Sequence, residues 1–171
     1  MKRFVIKKLT RIIKARKKLE EELNVKIINQ GKEIIIEGTP EEEYIAEKVI
    51  DAVDFGFPLG IAFLIKDEDF FLEIINIKDF TKKRDLKRIR ARIIGTKRKT
   101  LNAIEHLTKC FFQVRDNEVA IIGDAEYIPN AQESVVSLVR GAKQSNVYAY
   151  LEKHQVEPIF DLGLKIKEKK E

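Results

Sequence analysis

Sulfur chemistry is nearly absent from this chain. Cys110 is the single cysteine, so no intrachain disulfide can form, and a reducing compartment fits. The two histidines, His106 and His154, stand in no His/Cys pattern with ligand spacing, so no metal site is expected. No apolar run approaches the ~20 residues of a membrane span. The basic N-terminus is not followed by an apolar stretch of signal-peptide length, so a cytoplasmic protein is expected. No nucleophile and base are visibly paired, so neither an enzyme nor a cofactor is expected.

Apolar residues are plentiful. Hydrophobic residues make up 44% of the 171, enough to bury a core and to exclude a disordered tail. Charged residues reach 36%, above the ~25% of an average soluble domain. The net charge of +5 is modest, and its placement says more than its size. Residues 2–18 carry Lys2, Arg3, Lys7, Lys8, Arg11, Lys14, Arg16, Lys17 and Lys18 and no acid. Residues 82–99 hold ten basic side chains against Asp85 alone. Such clustering points to a polyanion as partner; the plainer explanation is a solvated charged face.

The chain repeats one plan twice. Arg11-Ile12-Ile13 and Arg92-Ile93-Ile94 each open a helical stretch, ending at Leu23 and Leu107. A β-rich run follows each: Val25 to Asn29, and Cys110 to Val114. Gln30-Gly31 and Asp116-Asn117 then suit tight hairpins. Second β-rich runs, Glu33 to Glu37 and Glu118 to Ile122, stop at Gly38 and Gly123. Longer helical patterns follow, Glu41 to Val53 and Tyr127 to Val139. Thr39-Pro40-Glu41-Glu42-Glu43 supplies an N-cap, a first-turn proline and first-turn acids. Tyr44, Ile45, Val49, Ile50 and Val53 recur at helical spacing and should face a core. Strands should precede each unit at Phe4 to Ile6 and Phe70 to Ile77, giving the order β-α-α-β-β-α in both halves. The expected class is α+β. Asp54 to Gly60 marks a break, with a short helix over Leu59 to Ile65. That segment is apolar, so the halves should pack together. Asn146 to His154 reads as an extra C-terminal helix.

The segment with the most chemistry joins the two short helices of the second unit: Gly95-Thr96-Lys97-Arg98-Lys99. Gly95 permits close backbone approach and a positive φ. A helix starting near Lys99 or Thr100 would aim free N–H groups at a phosphate. Lys97, Arg98 and Lys99 add cations, and Ile93 and Ile94 could floor an apolar groove for bases.

These residues resemble a known family. Arg92-Ile93-Ile94-Gly95, Lys99-Thr100, Ile104 to Thr108, Val119 to Gly123 and Ser145 to Glu152 look like the archaeal two-KH-domain RNA-binding proteins. Their eukaryotic counterpart is the small-subunit assembly factor "partner of Nob one". The resemblance covers nearly the whole chain, strongly from Phe70 to Glu152 and weakly over the first fifty residues. It implies two packed KH-like units of type I, the first degenerate, plus a C-terminal helix. The divisions are 1–55 (a unit without a GxxG loop), 56–69 (a linker with a short helix), 70–155 (a KH domain with a GxxG-like loop and extra helix) and 156–171 (a charged tail). It also implies a factor that binds single-stranded rRNA near the 3′ end of the small-subunit rRNA. The implied partners are a Nob-type endonuclease and other small-subunit assembly or initiation factors. A monomer with no membrane contact is expected.

The RNA-binding residues expected are Gly95, Thr96, Lys97, Arg98, Lys99, Arg92, Arg90, Arg88 and Ile94, the arginines on phosphates and Ile94 in the groove. Two departures from the family stand out. Arg98 takes the place of the second loop glycine, adding a cation and a stacking plane. In the first unit Ile13 to Leu19 runs straight through as helix, about three residues shorter than its counterpart. Two other readings remain. One is a protein-interaction scaffold whose RNA groove has decayed. The other is a nuclease using Asp67, Glu68 and Asp69, although a turn before a strand explains those acids better. Phe111 and Phe112 are expected in core or inter-unit packing, and Tyr148 and Tyr150 against the second unit.

Overall fold

A computed structural model describes residues 1–155. The tail at 156–171 lies outside the described residues. The first half runs β1 (Lys2–Val5), α1 (Leu9–Leu23), β2 (Lys26–Gln30), β3 (Glu33–Glu37) and α2 (Pro40–Phe55). A short helix α3 (Leu59–Ala62) and a 3-10 turn (Phe63–Lys66) follow. The second half runs β4 (Phe70–Asn76), α4 (Leu86–Ile94), a 3-10 turn (Thr96–Arg98), α5 (Lys99–Thr108), β5 (Phe111–Arg115), β6 (Glu118–Asp124), α6 (Ile128–Val139) and α7 (Gln144–Lys153).

Each half contains its own three-stranded antiparallel sheet, ordered β1-β3-β2 and β4-β6-β5. The central strand in each is the most buried. The sequence order β-α-α-β-β-α needs correcting for the first half: α1 is one unbroken helix there, giving β-α-β-β-α. Its residues are good helix formers with no glycine, so nothing stops the helix between Leu9 and Leu23.

The halves share local details. Asn24 and Lys109 each end a helix in the left-handed conformation, at φ 53° and 55°. Gly38 and Gly123 sit on matching strand ends, where an added Cβ would meet the matching residues Val25 and Cys110. Seven positions separate the buried Ile12 from Leu19, and eleven separate the buried Ile93 from Ile104. The second half therefore carries four inserted residues, not about three, and the insertion is the Gly95 turn.

One apolar cluster fills the first half and takes in Ala120 and Ile122 of β6, with Phe70, Leu72 and Phe111 packed against it. The other face of β6, Val119 and Ile121, belongs to a second cluster with α4, α5, α6 and α7. The second sheet is thus covered on both faces, as the near-continuous burial of β6 requires. Phe57, Ala62 and Ile65, between the halves in sequence, lie in the first cluster. Phe112 enters the second core and Phe111 packs on the first, so one strand serves both halves by alternation.

Polar contacts fasten the junction. Arg115 donates to the Asp54 carbonyl at 2.9 Å, pairs with its carboxylate at 3.5 Å and lies over the Phe55 ring at 4.3 Å. Asp54 also accepts the Lys8 amide at 2.6 Å, so it joins α1, α2 and β5. Two residues expected to pack are turned outward. Tyr44 is 57% exposed, with Lys2 and Lys48 over its ring, because it starts the outer flank of α2. Tyr150 is exposed and stacks on His154, whereas Tyr148 packs on the second core.

Candidate nucleic-acid interface

α4 begins at Asp85, whose side chain accepts the Arg88 amide at 3.1 Å as an N-cap. Ile89 and Ile93 are buried in the second core. That stripe divides the helix surface into two flanks, each with residues four apart. Arg88 and Arg92 lie on one flank; Arg90 and Ile94 lie on the other.

The two flanks do different things. Arg92 donates to the carbonyls of Leu138 at 3.1 Å and Ala142 at 2.5 Å, closing the end of α6. With Lys83, Arg84, Arg88 and Val139 it lines a cleft beside α6. Arg90 donates to the Asp116 carbonyl at 2.8 Å and reaches Asn117 Oδ1 at 3.3 Å, so it holds the hairpin between β5 and β6. Ile94, half-buried, shares that flank and leads into the turn. The arginines expected to share one phosphate rim are therefore split. Arg90 and Ile94 stand on the β5 side with the turn, whereas Arg88 and Arg92 face α6.

The turn is tight. Gly95 adopts φ 75°, and its amide donates to the Ala91 carbonyl at 2.8 Å. An added Cβ would lie 2.7 Å from the Thr100 amide nitrogen and closer still to its hydroxyl, so only glycine fits. Lys97 and Arg98 are both left-handed, at φ 52° and 64°. Such a conformation costs a non-glycine residue roughly 1–2 kcal/mol. Packing on both sides of the turn holds it. Lys97 and Lys99 are exposed and enter no ion pair among the described residues.

Arg98 is differently placed. Its guanidinium folds back along α5 and forms a bidentate pair with Glu105, at 2.7 and 3.0 Å. It also donates to Asn102 and to the Phe112 carbonyl, the latter at 2.9 Å. The Glu105 hydrogen bond is the main cause that raises the Arg98 pKa, against partial burial. Glu105 Oε1 accepts the Phe112 amide at 3.0 Å. Sequence reasoning missed Glu105 and Asn102. The signal was present in the repeat, because Glu20 of α1 accepts the amide of Ile27 at 2.8 Å across the same separation.

The acids near β4 form a turn. Asp67 Oδ1 accepts the Asp69 amide at 3.0 Å, which explains their spacing. Among the described residues no group of three His, Cys, Asp or Glu side chains is placed to hold a metal ion, and no helix is long and apolar enough to cross a membrane.

The family described as Eukaryotic type KH-domain (KH-domain type I) matches residues 71–156. Dim2p from Pyrococcus horikoshii OT3 has a similar crystal structure: 31% identity, 90% of this chain and 98% of that one covered, TM-score 0.82. The chain belongs to the PNO1-type KH-domain family. Among other members, a KH domain-containing protein of Methanocaldococcus jannaschii is 32% identical over 147 residues, covering 82% of this chain and 65% of that protein. The pre-rRNA-processing protein PNO1 of Kluyveromyces lactis is 37% identical over 105 residues, covering 60% of this chain and 38% of that one. This chain thus spans less than two thirds of those curated relatives. A Pyrococcus horikoshii chain from a complex of a/eIF2alpha, aDim2p and rRNA is 30% identical, covering 90% of this chain and 93% of that one, with a TM-score of 0.82. Arg98 and Glu105 tie the Gly95 turn and α5 to β5, an edge strand of the second sheet.

Proposed function

We propose that this protein binds single-stranded rRNA during small-subunit maturation, with the Gly95 turn as its phosphate clamp. One observation carries the reading: a turn only glycine can begin holds Lys97 and Lys99 exposed at the start of α5, without an ion pair among the described residues. Cations at a helix start attract a phosphate, and the apolar flank at Ile94 gives bases a surface. The relatives named for pre-rRNA processing, and the neighbour solved in a complex with rRNA, support the choice of RNA. The units take separate roles in this reading: 70–155 grips RNA and 1–55 supports it. The family resemblance implies the small-subunit 3′ region as target. A Nob-type endonuclease and an initiation factor are the partner classes. The protein acts as a binding factor in the cytoplasm, without catalysis of its own.

Titration with a single-stranded RNA from the small-subunit 3′ end tests this. Affinity should fall with added salt, at a slope near −0.7 per phosphate neutralised. Affinity no greater than for a neutral polymer would remove the RNA reading and leave the scaffold role. Incubating the same RNA with Mg²⁺ should leave it intact; cleavage would revive the acids at Asp67 to Asp69.

A further inference from the structure

The free edge of β5 carries a second piece of recognition chemistry. β5 pairs with β6 on one side only. In an antiparallel strand, alternate residues turn both N–H and C=O away from the partner. Phe112 is such a residue: its amide goes to Glu105 at 3.0 Å and its carbonyl accepts from Arg98 at 2.9 Å. An outward N–H beside an outward C=O is what the Watson–Crick edge of a base can pair with, adenine offering one donor and one acceptor side by side. Here the guanidinium supplies the donor and the carboxylate the acceptor. The chain already holds a mimic of a base edge at that position.

This mimic is locked. Arg98 meets both oxygens of Glu105 as well as Asn102 and Phe112, and bidentate charge-assisted pairs are the stronger class of hydrogen bond. By the same alternation Val114 turns its N–H and C=O outward, two residues along. No side chain hydrogen-bonds to them among the described residues.

We propose that the Arg98–Glu105 pair closes the Phe112 position of the β5 edge to nucleobases, making Arg98 a specificity-setting residue and leaving Val114 as the edge position where a base pairs. The inference rests on the RNA reading above. Arg98 on this account is not a phosphate ligand; Lys97 and Lys99 fill that role. Glu20, with Arg16 at 3.1 Å, fills the matching amide of Ile27, but no side chain among the described residues occupies both edge groups there.

The test follows backbone amides by NMR while uridine octamers, each with adenine at one scanned position, are added to the whole protein. The amides of Thr96, Lys97 and Val114 should shift, while that of Phe112 should stay in place and exchange slowly. Loop shifts together with a large Phe112 shift would overturn the proposal and spare the RNA reading. No binding at all would overturn both. The double variant R98G/E105A opens the edge, and glycine suits the left-handed backbone at position 98. In it the Phe112 amide should move, and preference for one adenine position should rise about fivefold. Unchanged preference in a folded double variant would contradict the proposal. If that variant does not fold, the amides of the unaltered protein decide alone.

Discussion

In the first half, Ile12 and Leu19 sit on one straight helix; in the second, Ile93 and Ile104 sit on two helices joined by a glycine turn. Around that difference the halves match: the left-handed helix ends, the strand-end glycines and the glutamate that reaches an edge amide seven residues on. A four-residue insertion therefore turns a structural unit into a candidate binding unit without disturbing the sheet beneath it. The turn supplies a second helix start with exposed cations, midway along the path that α1 follows without a break; the start of α1 itself carries the exposed Lys7 and Lys8. The first half contributes differently, by covering the outer face of the second sheet.

The comparison can be broken most severely at Gly95. Gly95→Ala places a Cβ against Thr100 in a backbone region alanine resists. It should lower stability by roughly 2–5 kcal/mol in urea unfolding and abolish RNA binding. Ala15→Gly in the unbroken α1 should cost only about 1 kcal/mol.

Next comes the junction. Arg115→Ala leaves Asp54 in a mostly buried site with the Lys8 amide as its remaining partner and strips the Phe55 ring of its cation. A loss of about 2–4 kcal/mol is expected, with both halves unfolding together. Separate transitions would show that the halves are less dependent on each other than the shared core implies.

The matched glycines give a smaller, paired effect. In Gly123→Ala the new methyl would lie 3.2 Å from the Cys110 Cβ and nearer still to its sulfur. In Gly38→Ala the nearest atom is a Val25 methyl at 3.0 Å. Thermal unfolding should show a cost of about 2 kcal/mol for the first and about 1 kcal/mol for the second. Burial pushes the Cys110 thiol up to about 12, so it should resist alkylation until the protein unfolds.

The smallest effect concerns acid. Burial works to raise the Glu20 pKa, but the Ile27 amide and Arg16 outweigh it and hold the group below its ordinary 4.5. A depressed carboxylate stabilises the fold above its unfolded pKa, and that contribution is lost as pH falls through the folded value. Stability should thus decline below about pH 4.5, and Glu20→Gln should flatten the decline slightly in acid-unfolding curves.

Much of this was legible in the chain. Period-two and helical patterns gave the strands and helices, and Gly95 marked the turn because few other glycines interrupt helical sequence. Tyr44 was misplaced because helical spacing alone does not tell the edge of an apolar stripe from its centre. The roles of Arg90, Arg92 and Arg98 were hidden for another reason. A cation's partner depends on tertiary neighbours, here the hairpin at Asp116, the end of α6 and the edge of β5. Charge counting treats all three as free for phosphate, whereas each already has a hydrogen-bonded partner. Only the repeat, by aligning Glu20 with Glu105, carried a hint of the closed edge.

The most direct measurement compares the salt dependence of RNA binding for the unaltered protein, Lys97→Ala in the inserted turn and Lys17→Ala on the continuous helix of the first half. The account predicts that Lys97→Ala makes the slope shallower by about 0.7, one phosphate of a single strand, while Lys17→Ala leaves it unchanged. Equal slopes for the unaltered protein and Lys97→Ala, or a larger change from Lys17→Ala, would contradict the claim that the inserted turn is the clamp.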